Sequence, residues 1–374
     1  MTTPPTPPVP PSTGPRTGGS PVRIGALVPL TRPGWTEAGR HLLAGIELAV
    51  HEVNGTGGID GTPLELVVRD TAADPRKAVA AVDELAALGV AALAGEYHSV
   101  VARDVAARAD ALGVPFLCSS AVLDDLTEQP TPWVARLAPA QSHGWTVYAD
   151  FLLGAGHTRI AVAAQPSVYW ASGTAVLRDR LTPHGGSVVE LDLREQAPEV
   201  IRDQLVGHGV TALLLLVGHP EPALSIVKAV RGDERLSGIL IGAPAGQPEF
   251  TEWAGPSGGH GAAIPFLRYL PERPSPLGAR VGTALRERLG GAPSFVAFEG
   301  YDTGTVLAEV LRSQGPDRAR IAAAWPHVDI EGTRGRIRFS RVPDIGVRQW
   351  AWPPVQVVER DPADPDRFRI LHAG

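Results

Sequence analysis

Residues 22–79, VRIGALVPLTRPGWTEAGRHLLAGIELAVHEVNGTGGIDGTPLELVVRDTAADPRKAV, decide the fold of this chain. The stretch opens with an apolar, β-branched run at 22–30, and apolar residues then recur at helical spacing from 35 to 54. A second apolar run leads into Asp74 and Pro75, the preferred N-cap and first residue of a helix. This order of strand, helix, strand and helix predicts parallel strands joined by helical crossovers.

The same alternation continues and predicts an α/β protein with two doubly wound parallel-sheet lobes in tandem. With 374 residues, the chain exceeds the roughly 250 to 300 at which a single core stops growing. Further strands are predicted at 91–96, 115–120, 159–165, 187–193, 212–218, 238–244 and 262–267. Further helices are predicted at 99–112, 171–182, 197–207, 221–231, 276–289 and 294–313, before a tail rich in β-forming residues.

Composition and charge exclude several classes of partner. The net charge is −6 and no acidic or basic block occurs, which argues against binding to nucleic acid or to a membrane surface. Cys118 is the only cysteine, so the chain can form no intrachain disulfide and no cysteine-based metal site. No apolar run approaches the ~18 residues that a membrane span needs, and direct membrane insertion is not expected.

The N-terminal residues 1–21, MTTPPTPPVPPSTGPRTGGSP, predict a disordered, proline-rich tail. A ligand for an SH3-type domain is the alternative interpretation, and the composition favours a solvated extension. The segment shows neither the apolar run of a secretory signal nor a cysteine for lipidation. The chain is therefore expected in the cytoplasm as written, and outside it if the start codon is misassigned.

Motifs for catalysis or for nucleotide cofactors do not occur. The sequence contains no GxGxxG, GxxxxGK[ST], HExxH or GxSxG pattern. Asp124 and Asp125 form the tight carboxylate pair near a turn, and their DDLT context favours the cap of a short helix over a shared proton. We expect a binding protein without cofactor or metal, not an enzyme.

Polar and aromatic residues gather where predicted strands end, which is where open parallel sheets bind ligands. Ser99 begins a predicted helix, so its hydroxyl and the free N–H groups there either meet a ligand or cap the helix. Ser120 ends a predicted strand. The aromatic residues in such turns predict the walls of a pocket, and they are Trp35, Tyr97, Tyr169 and Trp170.

These motifs together resemble the leucine/isoleucine/valine-binding protein family. The opening stretch has that family's strand ending in PLT, its helix ending in N-x-x-GGI-x-G and its strand closing on D-x-x-x-DP. GVPFLCSSAVLDDLT at 113–127, WVARLAP at 133–139 and FEGYDTGTVLAEVL at 298–311 continue the resemblance, which covers roughly residues 22 to 360. It implies a type 1 periplasmic binding protein, with two lobes, three crossovers and a ligand in the cleft between the lobes.

The resemblance also implies domain boundaries, with crossovers near Pro139, Pro244 and Trp325. The N-terminal lobe is then expected to comprise 22–138 plus 244–325. The C-terminal lobe is expected to comprise 139–243 plus 326–360, with 361–374 as a C-terminal extension.

Matching motifs carry the family's ligand-binding positions onto this chain. The carboxylate-binding serine falls on Ser99, the pocket tryptophan on Trp35 and the second-lobe tyrosine on Tyr169. The turn after the fourth strand falls on Ser120, Ala121 and Val122.

The chain departs from amino-acid-binding relatives at three points, the first of which is that VGHPEP at 217–222 lacks the aromatic residue seen there. Val122 replaces a threonine, and GAPAGQP at 242–248 lacks the acidic residue that pairs with an ammonium group. A buried ammonium without a partner costs several kcal/mol, so Glu96 or Glu299 is the expected substitute if an amino acid binds.

The turn GEYHS at 95–99 also resembles the G-x-Y-x-S turn of amide- and urea-binding relatives. The resemblance thus implies binding of a small polar solute, an amino acid, an amide or a related molecule, as the substrate-binding component of an ABC importer with a permease partner. The alternative is a leaderless cytoplasmic sensor of the same fold that acts on a regulatory protein.

Overall fold

A computed structural model describes residues 20–193 and 197–374. The tail expected at 1–21 therefore lies outside the described residues, except for its last two. The first part of the chain forms β1 (Val22–Val28), α1 (Thr36–Gly55), β2 (Leu64–Asp70), α2 (Pro75–Ala87), β3 (Ala92–Gly95), α3 (Ser99–Leu112), β4 (Phe116–Cys118) and β5 (Val134–Arg136).

The middle part forms α4 (Gln141–Gly154), β6 (Arg159–Ala164), α5 (Val168–Leu181), β7 (Ser187–Asp192), α6 (Pro198–His208), β8 (Ala212–Leu216), α7 (Ala223–Arg231), β9 (Leu240–Gly242) and α8 (Thr251–Ser257). The last part forms β10 (Phe266–Arg268), α9 (Pro276–Leu289), α10 (Phe295–Gln314), α11 (Arg318–Ala324), β11 (Asp329–Gly332), β12 (Gly335–Ser340), β13 (Arg348–Trp350), β14 (Gln356–Asp361) and β15 (Asp364–Ala373).

The strands form one sheet in the first lobe and, in the second lobe, a four-stranded and a three-stranded sheet that an isolated bridge joins. The first has the order β11-β12-β13-β5-β4-β3-β1-β2, in which β13 through β2 run parallel. The second begins with the parallel order β7-β6-β8-β9. A parallel bridge between Ala243 and Phe266 continues it into β10, which pairs antiparallel with β14, and β14 with β15. The fold is thus the expected pair of doubly wound lobes.

The pairing of the strands corrects two of the expected crossovers. β10 lies in the second sheet, not in the first lobe, and β11 to β13 complete the first sheet instead of the second. Residues 361–374 are no separate extension, because β15 is part of the second sheet. The chain consequently passes between lobes at 137–140, 269–275 and 351–355, and the crossovers expected near Pro244 and Trp325 are wrong.

Close packing of α1 against α10 fixes the part of the first lobe that carries the cleft residues. A side chain at Gly45 would place its Cβ 2.0 Å from the carbonyl oxygen of Ala297, and one at Gly300 would lie 2.1 Å from that of Leu42. Only glycine permits this approach of the two backbones. The position of α10, which begins at Phe295 and carries Glu299, is therefore set by α1.

Candidate ligand-binding cleft

A cavity of about 300 Å³ lies between the lobes, at the carboxyl ends of the parallel strands. Small-molecule sites in open parallel sheets lie at these strand ends. The volume of the cavity is at the lower end of the range for such sites. Its walls come from the turns after β2, β3, β4, β6, β9 and β10 and from the start of α10. The lining residues are Ala73, Pro75, Tyr97, His98, Ser99, Val100, Val101, Ser120, Val122, Ser167, Tyr169, Trp170, Ala245, Gly246, Gln247, Tyr269 and Phe295.

The structure brings most of the residues predicted from the sequence to this cavity. Those that line it are Tyr97, Ser99, Ser120, Val122, Tyr169 and Trp170. Those that do not are Trp35, Glu96, Ala121 and Glu299. Tyr169 and Trp170 lie in the first turn of α5, not in the turn before it, because this helix begins at Val168, three residues earlier than predicted.

The start of α3 presents backbone donors to the cavity. His98 occupies the N-cap position and its side chain makes no capping bond, so the N–H groups of the first turn have no intrahelical acceptor. Ser99 does not cap the helix either: its Oγ accepts from the N–H groups of Val122 at 3.2 Å and Leu123 at 3.4 Å. Its own hydrogen can therefore be donated to a ligand.

Glu96 is committed to the protein itself. Its side chain is fully buried. Oε2 accepts from Thr71 Oγ1 at 2.7 Å, and Oε1 accepts from the N–H groups of Tyr97 and His98 at 2.9 Å each. Burial raises the pKa of Glu96 to about 7, although these three hydrogen bonds oppose the shift. Its oxygens hold the turn between β3 and α3, and they are not available for a ligand's ammonium group.

Glu299 lies behind the cavity in a buried ionic cluster. Its Oε1 is 3.2 Å from Arg334 Nη1, and Arg334 Nε is 2.9 Å from Asp302 Oδ2, with all three side chains fully buried. Burial raises the pKa of Glu299 to about 7, and Arg334 and the neighbouring Ser120 hydroxyl oppose the shift. Among the described residues, Glu299 Oε2 and Ser120 Oγ are buried and no partner meets the distance and angle of a hydrogen bond to either atom. Ser120 therefore stands between the cavity and the carboxyl group.

Trp35 and Ala121 have structural positions outside the wall. The backbone N–H of Trp35 donates to His98 Nε2 at 3.1 Å. Its ring lies 6.5 Å from that of His219 and 6.1 Å from that of Phe250, both in the second lobe. Trp35 thus packs one lobe against the other beside the cavity. Ala121 is buried in its turn, where its N–H donates to the carbonyl of Glu96.

The sequence prediction missed two aromatic walls, Tyr269 and Phe295. Their ring centroids are 5.1 Å apart with an angle of 81° between the planes. Tyr269 directly follows β10, so the rule that located Tyr97 could have located it. Phe295 is the first residue of a long helix, and no sequence pattern indicates which way its ring points. Gln247 and Ser167 were also missed.

A reciprocal pair of helix caps joins the lobes next to the cavity. Glu252 Oε1, at the start of α8, accepts from Thr36 Oγ1 at 2.5 Å and from the Glu37 N–H at 2.9 Å at the start of α1. In return the Glu37 carboxylate accepts from the N–H groups of Thr251 and Glu252 at 3.0 Å each and from Thr251 Oγ1 at 2.6 Å. Each acid satisfies backbone donors of the other lobe's helix.

Ionisable side chains on the cavity wall are uncharged at neutral pH. Burial lowers the pKa of His98 to about 4 and raises that of Tyr169 to about 12. Burial raises the pKa values of Tyr97 and Tyr269 well above the usual range. The described ranges contain no group of three side chains arranged to hold a metal ion. No helix in the described part of the chain is long and apolar enough to cross a membrane.

A two-lobed α/β molecule with a small-molecule cavity between its lobes belongs to the class of cleft-type solute-binding proteins. The model of the family described as "Periplasmic binding protein" matches residues 21–352, and the chain belongs to that family.

Curated relatives agree with this assignment. A leucine-, isoleucine-, valine-, threonine- and alanine-binding protein of Pseudomonas aeruginosa is 22% identical over 333 residues, 87% of each chain. A Leu/Ile/Val-binding protein of Rhizobium johnstonii is 26% identical over 193 residues, which are 48% of this chain and 52% of that protein. The chain thus matches about half the length of the Rhizobium relative.

Solved structures share the type 1 periplasmic binding fold. A leucine-binding protein of Thermotoga maritima has a TM-score of 0.79 at 21% identity, covering 93% of this chain and 97% of its own. A Streptococcus pneumoniae branched-chain amino acid transporter substrate-binding protein, solved with isoleucine, has a TM-score of 0.78 at 18% identity, covering 94% and 99%. A solute-binding protein of R. palustris, solved with benzoate, has a TM-score of 0.77 at 17% identity, covering 95% and 96%.

Proposed function

We propose that the protein is the substrate-binding component of an ABC importer and carries an amino-acid-sized solute with a carboxylate or carbonyl group to a permease. The observation that carries the proposal is the cavity walled by both lobes beside the uncapped start of α3. A ligand that contacts both walls favours the closed arrangement of the lobes, which is the change that a transporter can detect.

The carboxylate or carbonyl end is assigned to the first turn of α3. Ser99, Val100 and Val101 all line the cavity there, and backbone N–H groups at a helix start attract negative charge. The hydrogen of the Ser99 hydroxyl adds a further donor.

The ligands in solved structures of the same fold support the size class and leave the ligand's charge open. Solved neighbours hold isoleucine, leucine and benzoate. Among the residues described here, no acidic side chain lines the cavity to accept from a primary ammonium group. This favours ligands without such a group over leucine itself.

A screen by thermal shift, followed by calorimetry, tests the proposal. The panel comprises branched-chain amino acids, their des-amino analogues, small amides and aromatic carboxylates. We expect at least one of them to raise Tm and to bind with a stoichiometry of one, and 4-methylpentanoate to bind better than leucine. If ligands bind equally well when Tyr97→Ala and Tyr169→Ala are combined in a folded protein, the interlobe cavity is not the site.

A further inference from the structure

We propose that the cavity is built for a carboxylate that carries a quaternary ammonium group, with the carboxylate at the start of α3 and the methylated cation among the aromatic walls. This inference rests on the proposed function and names the class of its ligand.

The aromatic content of the wall is the first argument. Tyr97 and Phe295 come from the first lobe, Tyr169 and Trp170 from the second, and Tyr269 from the segment that joins them. Aromatic faces attract cations through their quadrupoles, and quaternary ammonium ligands are recognised by cages of such rings.

The orientation of the rings is the second argument. Tyr169 and Trp170 meet at 61° with centroids 4.7 Å apart, and Tyr269 and Phe295 meet at 81°. Faces that point in such different directions surround a rounded group, whereas a flat aromatic ligand stacks in an offset manner on a face parallel to itself. The angles thus fit a trimethylammonium group better than a benzoate ring.

The absence of an acid from the described wall is the third argument. A primary ammonium group has three N–H donors, each of which needs an acceptor when it is buried. A quaternary ammonium group has none, so an uncharged aromatic wall leaves no donor unsatisfied. The feature that disfavours leucine is therefore no obstacle for this ligand.

Charge behind the wall is the fourth argument. Two carboxyl groups, Glu299 and Asp302, share the single guanidinium of Arg334. The buried cluster is net negative once both are ionised, which for Glu299 requires a pH above its pKa of about 7. Ser120, 4% exposed and unpartnered among the described residues, stands between this cluster and the cavity. A cation in the cavity interacts favourably with the cluster, while a second anionic ligand group would be repelled.

A matched pair of probes isolates the positive charge. Trimethylammonioacetate and 3,3-dimethylbutanoate have the same shape and the same carboxylate, and only the first has a nitrogen cation in place of the quaternary carbon. The pair 4-(trimethylammonio)butanoate and 5,5-dimethylhexanoate repeats the comparison at greater length. In calorimetry at pH 7.5, we expect the trimethylammonio compound of at least one pair to bind its site at least about tenfold more tightly than the uncharged-tail isostere.

Variants separate the cage from a general loss of structure. Tyr97→Phe keeps the ring and is expected to preserve the preference for the cation. Tyr97→Leu removes the ring, and Glu299→Gln removes the buried charge; each is expected to reduce the preference at least threefold, with Tm showing that the variant is folded. The des-amino analogue 4-methylpentanoate has no cation, so Glu299→Gln should not lower its affinity.

Three results would overturn the inference. The first is that the isosteres, benzoate or leucine bind at least as tightly as the trimethylammonio carboxylates. The second is that Glu299→Gln, in a folded protein, leaves the preference for the trimethylammonio group unchanged. In both cases the cavity still binds a solute and the proposed function stands. If no probe and no member of the wider panel binds, the proposed function fails together with the cage.

Discussion

At the scale of single residues, Ser99 links the helix start to the opposite turn. Its oxygen accepts from the N–H groups of Val122 and Leu123, so its hydrogen is free to be donated to a ligand in the cavity that Ser99 lines. Ser99→Ala removes both functions, and the ligand's binding free energy should weaken by about 1.5 to 3 kcal/mol, the range for a hydrogen bond to a charged group. Calorimetry with the best ligand measures this.

Ser225→Ala is the matched control, because this hydroxyl bonds only to Glu221 on the exposed surface of the second lobe. Its affinity should equal that of the wild type. Wild-type affinity in Ser99→Ala as well would show that the Ser99 hydroxyl has no contact with the ligand.

The buried acid Glu96 predicts a pH-dependent contribution to stability. Its pKa of about 7 in the folded protein exceeds the ordinary glutamate value of 4.5, so the folded state binds more protons than the unfolded state between these pH values. Its contribution to the free energy of unfolding is therefore greatest below about pH 4.5 and is lost as the pH rises towards 7 and above. Thr71 and the N–H groups of Tyr97 and His98 face its oxygens, and the charge of Asp70 adds to the shift.

Comparison with Glu96→Gln isolates this contribution from that of the histidines, whose lowered pKa values act in the opposite direction. Denaturant unfolding at pH 5, 6, 7 and 8 should show the wild type losing on the order of 2 kcal/mol relative to the variant across the series. A difference between the two proteins that does not change with pH would contradict the assigned pKa.

At the scale of elements, the reciprocal caps of α1 and α8 predict a latch between the lobes. Glu252→Ala leaves Thr36 and the Glu37 N–H without their acceptor, and the loss of such a cap costs about 0.5 to 2 kcal/mol. Because the contact exists only when the lobes meet, we expect a larger radius of gyration for the free protein and weaker binding of the ligand. Scattering and calorimetry measure the two effects.

Glu199→Ala is the matched control for the latch. Glu199 lies in the first turn of α6 in the second lobe, so its removal changes a helix start without touching the first lobe. Equal behaviour of the Glu199 and Glu252 variants would show that the caps support only their own helices.

Local signals predicted the elements well, and pairing over long distances was harder. Asp74 does cap α2, with Pro75 behind it, and α3 has the predicted bounds, because caps and apolar periodicity are encoded within a few residues. Strands β10 and β13 contain three residues each and pair with segments distant in sequence. Three residues carry no usable periodicity, so their lobe could not be predicted.

The same limit applies to the site. Strand ends located Tyr97, Ser99 and Tyr169 from the sequence alone. Whether an acid faces the cavity depends on partners distant in the chain: Thr71 holds Glu96, and Arg334 holds Glu299. Those partners decide the charge of the cavity, and only the folded structure brings them together.

At the scale of the whole molecule, we propose that a solute between the lobes holds them closed. A ligand that contacts both walls has a higher affinity for the closed state than for the open state. The ratio of these two affinities sets how far the ligand shifts the equilibrium towards closure. The caps between α1 and α8 and the packing of Trp35 on His219 add to the closed state without contacting the ligand.

Small-angle scattering of the wild-type protein, with and without a saturating ligand from the screen, tests this claim most directly. We predict a smaller radius of gyration with ligand than without it, and a smaller change when Tyr97→Ala and Tyr169→Ala are combined. An unchanged radius of gyration at a ligand concentration that saturates the calorimetric signal would contradict closure of the lobes around the solute.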